Sequence, residues 1–269
     1  MPVSPDALLT PQLTSQLTPA KPLPLFLRLA ELLARGIAAG HYQAGERLPP
    51  ESELSLSLSA SVGTVRKALA LLESRGLLER KQGSGTYVRG REPAQAASAS
   101  RSIYEFFRLE LETGGGLPSA LLIDLKKVRK PAAVPAFGEG VSATVSPSAS
   151  SSASPFCYRV RRLRFLNDTP VAVEEIWFDA RHREHLRIEQ LDEALYHFYE
   201  TELGFWISHA EDRLKVGSVP DWSPAQFQLA PGQACCKIER KAWSSGGSLE
   251  EFSNTWVDTR LAHYVARWS

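Results

Sequence analysis

The chain has 269 residues, 43% of them hydrophobic and 23% charged, with a formal net charge of +1. That length holds two domains with separate cores, and the near-neutral balance excludes a protein that coats nucleic acid through global basic charge, so any nucleic-acid surface must be local. No run approaches the roughly 18 apolar residues of a membrane span, and the three cysteines Cys157, Cys235 and Cys236 have no metal-ligand spacing, which suits a reducing, cytoplasmic setting.

Met1 to Ala20 is rich in Pro, Thr, Ser and Gln and has no apolar stretch ahead of a cleavage site, so 1–20 is expected to be a disordered leader. Pro22 to Gly40 predicts the first helix, with Leu25, Leu29, Leu32, Leu33 and Ile37 on its buried face and Pro24 in its first turn. Glu51 to Leu58 predicts two helical turns, with Leu54 and Leu58 available to pack on the next helix. Ser59-Ala60 is then a tight connection. Ser61 suits a helix N-cap, because its hydroxyl accepts from a first-turn N–H. From there Val62, Val65, Leu69 and Leu72, with Ala68 beside them, make one apolar stripe, and Gly76 suits a left-handed C-cap.

Two helices so joined form a helix-turn-helix. Ser61, Thr64, Arg66 and Lys67 gather at the N-terminal end of the second helix, the end that a DNA-reading helix presents to base edges and phosphates. After Gly76 the pattern turns to strands around Gly83 and Gly85, with Arg80, Lys81 and Arg89 about the tip. A basic hairpin in this place can rest on phosphates or enter a minor groove. Each part alone is an ordinary packed helix or turn; their order and spacing together point to DNA.

Gly45-Glu-Arg-Leu-Pro49, Glu51-Ser-Glu-Leu54, Gly63-Thr-Val-Arg-Lys-Ala-Leu69, Gly76-Leu-Leu78 and Gly83-Ser-Gly-Thr86 carry a resemblance to the winged-helix DNA-binding domain of the GntR family of bacterial transcription regulators, over about Leu25 to Val88. The resemblance implies a DNA-binding domain over 21–90. It also implies DNA contacts from Ser52, Ser61, Thr64 and Arg66 and from the wing at Gln82 and Gly83, to which the residue pattern adds Lys67 and Lys81. Ser59 stands where that family often has glycine, and Val62 where it often has arginine.

Residues 91–101, in a stretch of Gly, Pro, Ala and Ser, read as a linker, and 102–269 as a second domain. Ile103 to Glu112 predicts a helix broken by Gly114-Gly-Gly116, and Ala120 to Lys130 a strand. Pro131 to Ser154 is low in complexity and reads as a surface loop. Phe156 to Phe165 and Val171 to Phe178 predict a hairpin about the turn Asn167-Asp-Thr-Pro170. Alternation puts Arg162 and Arg164 on one face and Arg159 and Arg161 on the other. Paired arginines can grip a carboxylate or phosphate, although four solvated surface charges are the commoner outcome. Leu186 to Leu203 reads as a helix-rich piece with Leu191, Leu195, Phe198 and Tyr199 as packing residues, Trp206 to Val216 as strand, and Pro220 to Leu229 as helix with Ser223 as its N-cap. Ala234 to Trp243 and Leu249 to Asp258 predict strands, and Arg260 to Trp268 a closing amphipathic piece. The class is α+β with an antiparallel sheet.

Arg159-Val-Arg-Arg-Leu-Arg164, Pro170-Val-Ala-Val-Glu-Glu175, Leu195-Tyr196, Gly204, Ile238-Glu-Arg240 and Glu250-Glu-Phe-Ser253 make this half resemble the effector domain of HutC-type regulators, called UTRA, which shares the fold of chorismate lyase. In sugar-phosphate-binding members the positions of Arg162 and Arg164 grip the anion, that of Tyr196 assists, and those of Glu174 and Glu251 bind polar groups. Ala194 replaces a serine that donates to the phosphate in those members, which brings a carboxylate metabolite level with a sugar phosphate.

The resemblances imply a ligand-responsive repressor in the cytoplasm. They imply a homodimer that binds double-stranded operator DNA with a palindromic site and is released by a small anionic metabolite. Neither a cofactor, a metal nor a catalytic residue is expected. A DNA-binding dimer that senses nothing, or an enzyme of chorismate lyase-like fold using Glu174 and Glu251 as an acid–base pair, is the alternative.

Overall fold

A computed structural model describes residues 17–89, 107–138 and 154–267. Three helices and a small hairpin make the N-terminal unit. Helix α1 (Leu25–Ala38) buries Leu29, Ala30 and Leu33, α2 (Glu51–Ser57) buries Leu54, and α3 (Val62–Ser74) buries Val65, Ala68, Leu69 and Leu72. These side chains share one core with Leu48, Leu78 and Val88. Each fully buried leucine there contributes about 1.5–3 kcal/mol. The Ser61 hydroxyl caps α3 by accepting from the Thr64 N–H at 3.2 Å. Gly76 follows the helix at φ +72°, a conformation that costs a side-chain-bearing residue strain.

Strands β2 (Leu78–Lys81) and β3 (Gly85–Val88) pair antiparallel to form the wing, with Lys81 opposite Gly85. Residues 45–48 lie along β3: the Gly45 N–H donates to the Val88 carbonyl and the Leu48 N–H to that of Thr86. The motif Gly45-Glu-Arg-Leu-Pro thus fastens the wing to the helices.

The second unit is built on a seven-stranded antiparallel sheet of order β1-β5-β6-β7-β10-β9-β8. Its strands are β1 (Thr18–Pro19), β5 (Pro118–Arg129), β6 (Phe156–Leu166), β7 (Thr169–Asp179), β8 (Ile207–Ser218), β9 (Ala234–Ser244) and β10 (Leu249–Val257). A two-stranded ribbon pairs β4 (Leu109–Leu111) with β11 (Ala262–Tyr264). Residues 186–205 cover one face of the large sheet. They include a 3-10 turn, the short helix α4 (Leu195–Phe198) and a π turn ended by Gly204 at φ +76°. Leu191, Leu195, Phe198 and Tyr199 pack there against Leu122, Val160, Ile176 and Phe178. The opposite face is closed by residues 219–229 over Leu163, Val173 and Trp256. The fold is therefore α+β, as the strand and helix patterns predict.

Three local expectations are corrected. Leu17 to Ala20 belong to the fold: Thr18 and Pro19 pair with Leu122 and Leu121, and Ala20 is buried. The rest of the expected leader, the linker 91–101, residues 103–106 and 139–153 lie outside the described residues. Leu109 to Leu111 is a strand rather than part of a helix. Arg35 of α1 takes the carbonyls of Phe107, Leu109 and Gly116, so the first two are spent on a side chain rather than on a helical turn. Pro220 to Leu229 is a chain of turns. Phe227 and Leu229, two residues apart, both enter the core, a spacing an extended chain serves and a helix does not.

Candidate nucleic-acid interface and effector site

In the N-terminal unit Ser52, Ser61, Arg66, Lys67, Lys81, Gln82 and Gly83 are all exposed and Thr64 is partly so. The capping bond leaves Ser61 and Thr64 tied together, their hydroxyls 2.8 Å apart at the first turn of α3. That end carries unpaired N–H groups and the positive end of the helix dipole. Arg66 Nε and Nη2 donate to one oxygen of Glu51, at 3.0 and 2.9 Å, and Arg80 Nη2 donates to the other at 3.2 Å. One carboxylate thereby aligns a guanidinium from the reading helix with one from the wing. Glu51 was not among the candidate residues, and Arg80 was read only as charge about the wing tip; Glu51 stands 15 positions from Arg66 and 29 from Arg80, and only the helix-to-wing packing joins them. At the tip, Lys81 sits over the Tyr87 ring at 4.8 Å, and the Tyr87 hydroxyl bonds Ser84 at 2.7 Å. Gly85 stands at φ +127°, a conformation that side-chain-bearing residues rarely adopt, and this holds the position to glycine.

In the second unit the cross-strand register sets Arg162 opposite Glu174, Glu174 opposite Thr255, Ser253 opposite Arg240, and Arg240 opposite Asp212. Directly opposite residues share a face, so one polar belt crosses five strands beneath α4. Arg162 Nε donates to Glu174 at 2.5 Å, and the Thr255 hydroxyl donates to the other Glu174 oxygen at 3.2 Å. Arg162 and Arg164 each direct Nη1 to the Glu193 carbonyl at 3.4 Å. The Tyr196 and Tyr199 hydroxyls donate to the two oxygens of Glu251, at 3.3 and 2.7 Å.

The two carboxylates of the belt are held differently. Burial raises the Glu174 carboxyl, but the neighbouring charges of Arg162 and Arg164 outweigh it and hold the group below its ordinary range. Burial also raises Glu251, and there the nearby Glu174 charge adds to the rise, so Glu251 stands above its ordinary range. Burial lifts the hydroxyls of Tyr196 and Tyr199 as well, which keeps both as donors.

The belt opens at its β8–β9 end into a cavity of about 290 Å³ lined by Arg108, Asp212, Arg240, Tyr264 and Arg267, with two alanines. Arg240 donates twice to Asp212 at 2.6 Å, and the Tyr264 hydroxyl, pushed up to about 12 by burial and by Asp212, donates to the same carboxylate at 2.8 Å. All five candidate effector residues thus meet on one face, in the pairs Arg162–Glu174 and Tyr196–Glu251, with Arg164 sharing Glu193 with Arg162. Arg240, Asp212, Tyr199 and Tyr264 complete the belt without having been singled out as site residues. The strand periodicity places Arg240 on an alternating face but cannot say which one without the register. Arg159 and Arg161 point to the opposite face and pair with Asp124 and Glu175. Among the described residues no group of three His, Cys, Asp or Glu gathers that could hold a metal ion.

The sequence profile of bacterial regulatory proteins of the gntR family matches residues 25–88, and that of the UTRA domain matches 143–260. The HTH-type transcriptional regulator SmoD of Agrobacterium fabrum is 42% identical over 245 residues, covering 91% of this chain and 96% of its own. The HTH-type transcriptional repressor NagR of Bacillus subtilis is 25% identical over 251 residues, covering 92% of this chain and 97% of its own. The ligand-binding domain of a Bordetella bronchiseptica regulator assigned to the GntR family has a similar fold. Its crystal structure superposes with a TM-score of 0.50 at 19% identity, covering 62% of this chain and 99% of that one.

Proposed function

The chain belongs to the gntR family of bacterial regulatory proteins and is a transcriptional regulator with a UTRA ligand-binding domain, and from that premise we propose that it is a cytoplasmic repressor, binding a palindromic operator as a homodimer and released by a small anionic metabolite. What carries the reading is the pairing, in one chain, of an exposed α3 N-terminus flanked by a basic wing with a sheet face whose centre is charged rather than apolar. Even paired, buried charge stabilises a sheet no better than apolar packing would, and a face that binds a polar ligand gives a reason to keep it.

In this reading Ser52, Ser61, Thr64, Arg66, Lys67, Lys81, Gln82 and Gly83 face the duplex. Thr64 and the α3 N-terminus meet a phosphate, Arg66 and Lys67 reach base edges or backbone, and the wing follows the adjacent groove. Arg162 and Arg164 take the anionic end of the metabolite, a phosphate or a carboxylate. Tyr196, Glu174 and Glu251 receive its hydroxyl groups. The low Glu174 carboxyl is an acceptor, while Glu251 accepts from Tyr196 and Tyr199 and holds both hydroxyls in place. The metabolite shifts the protein only by binding one arrangement of the two domains more tightly than the other. That NagR is named a repressor favours relief of repression as the sign.

The test is a duplex selected from a random pool by the purified chain, then titrated with sugar phosphates and carboxylate metabolites while binding is followed by gel mobility. Release by one compound, absent in Arg162→Ala when both proteins start from equal occupancy of the duplex, is the expected result. A variant that still responds normally removes Arg162 from the site, and a chain that selects no sequence over random competitor removes the function.

A further inference from the structure

Residues 17–24 precede both family profiles, yet they are built into the effector sheet. Thr18 and Pro19 extend it by pairing with Leu122 and Leu121 of β5, and Ala20 enters its core beside Leu195. The Lys21 N–H donates to the Leu191 carbonyl at 2.9 Å, the Glu193 N–H returns to the Lys21 carbonyl at 3.0 Å, and the Lys21 ammonium lies 3.5 Å from Asp192. Leu23 is buried against Ala194 and Phe107. Immediately afterwards α1 begins, the helix on which the DNA-reading domain is built. The segment is therefore a second attachment between the two domains, additional to the chain that joins them after residue 89.

Glu193 is where this attachment meets the effector site. Its carboxylate accepts from the Leu23 N–H at 3.1 Å and lies 3.7 Å from Arg28 Nε on the first turns of α1. Its carbonyl is the shared acceptor of Arg162 and Arg164. The next residue, Ala194, is the N-cap of α4, which carries Tyr196 to Glu251. One buried residue thus touches the candidate anion grip, the candidate hydroxyl-binding helix and the entry to the reading domain.

We propose that residues 17–24 are a strap seating the DNA-reading domain on the effector domain, and that Glu193 is its latch, loosened when an anion draws Arg162 and Arg164 away. The proposal rests on the reading that this arginine pair takes the effector's anionic group. At 3.4 Å the bonds to the Glu193 carbonyl are long, and a ligand oxyanion forms shorter, charge-assisted bonds with the same donors. Once those donors turn to the ligand, the 193 peptide loses what fixes it from the sheet side, and its side chain no longer holds Leu23 and Arg28 in place. The strap does not cover the reading surface, since Ser61, Arg66 and Lys81 stay exposed while it is seated. It governs where the reading helix points, not whether it is open.

Hydrogen–deuterium exchange on the full chain tests this, read on the amides of Lys21, Leu23 and Glu193 and, as an internal control, on those of β7. Arg162→Met should speed the strap amides about fivefold or more with β7 unchanged, since local opening follows the bonds that remain. Arg28→Ala, which removes a partly exposed partner of Glu193, should do the same and serves if loss of the buried Arg162–Glu174 pair unfolds the sheet. Inorganic phosphate at millimolar concentration, used as the anion probe, should speed the wild-type strap and leave Arg162→Met unmoved. Strap amides at wild-type rates in both variants overturn the latch. Phosphate that raises Tm through Arg162 without touching the strap also overturns it, yet leaves the anion site standing. Faster strap exchange in both variants with no effect of phosphate keeps the latch and counts against the anion site instead.

Discussion

Two single positions decide how the reading surface is held. Ser59 lies in the turn between α2 and α3 at φ +48°, the left-handed region that favours glycine. A residue with a Cβ is strained there by about 1–2 kcal/mol, while glycine costs the unfolded chain about 0.4–1 kcal/mol more entropy. Ser59→Gly is therefore expected to stabilise the protein by roughly 0.5 kcal/mol, read as a higher urea midpoint with an unchanged slope; a lower midpoint would show that the serine is not strained. Arg66 offers the complementary case. Its side chain is 61% exposed and its bond to Glu51 is a surface ion pair, so Arg66→Ala should leave the urea midpoint of the fold almost unchanged. If Arg66 faces phosphate, the same change weakens duplex binding and lowers the slope of log affinity against log salt by about 1. An unchanged slope removes it from the phosphate contacts. The departure at Val62 bears on this, because an exposed valine at the start of α3 supplies no charge there, and Arg66 with the Glu51-aligned Arg80 must supply it.

At the level of elements, the polar belt shows how a sheet joins residues from strands far apart in the chain. Glu251 makes this measurable. Burial raises its carboxyl above the unfolded value, so its share of stability is present below the ordinary carboxylate pKa and is lost as pH rises through the raised one. Glu251→Gln lacks that loss and keeps an acceptor for the Tyr199 hydroxyl. Its stability relative to the wild type should improve from acid toward neutral pH in urea unfolding, and a difference that stays flat would show that the group is not raised. Glu174 runs the other way, contributing above its ordinary pKa and losing that as pH falls through the lowered one. The elements that alternation and capping define were legible in the sequence: α1, α3 with its Ser61 cap, the wing, and the β6–β7 hairpin with its arginines divided between two faces. Elements set by distant partners were not. β1 is two residues in a Pro-rich stretch, β4 is a strand because it pairs with the distant β11 while Arg35 takes its Leu109 carbonyl, and Phe227 and Leu229 are drawn in by the far side of the sheet. Arg240 joined the site for the same reason, since only the β8–β9 register shows that it faces Asp212.

For the whole molecule, a net charge of +1 means that the affinity for a duplex comes from how a few local cations are placed, and placement depends on what fixes the reading domain. Arg35, 8% exposed on α1, donates to three carbonyls of residues 107–116, at 2.9 Å to Gly116 and 3.2 Å to Phe107, and Glu193 holds the same helix at its start. A domain anchored at both ends of α1 cannot swing freely to find a half-site. If the regulator acts as a dimer, its two reading helices therefore stand at one set separation, about 34–36 Å for adjacent turns of the duplex. Inserting about five base pairs between the half-sites turns the second by half a helical turn onto the opposite face. Affinity should then fall to that of a single half-site. Inserting a full turn restores the face but not the distance and should recover affinity only in variants that loosen the anchors, such as Arg28→Ala. Wild-type protein that tolerates both insertions in a gel-mobility titration would mean that the reading domains are tethered rather than seated.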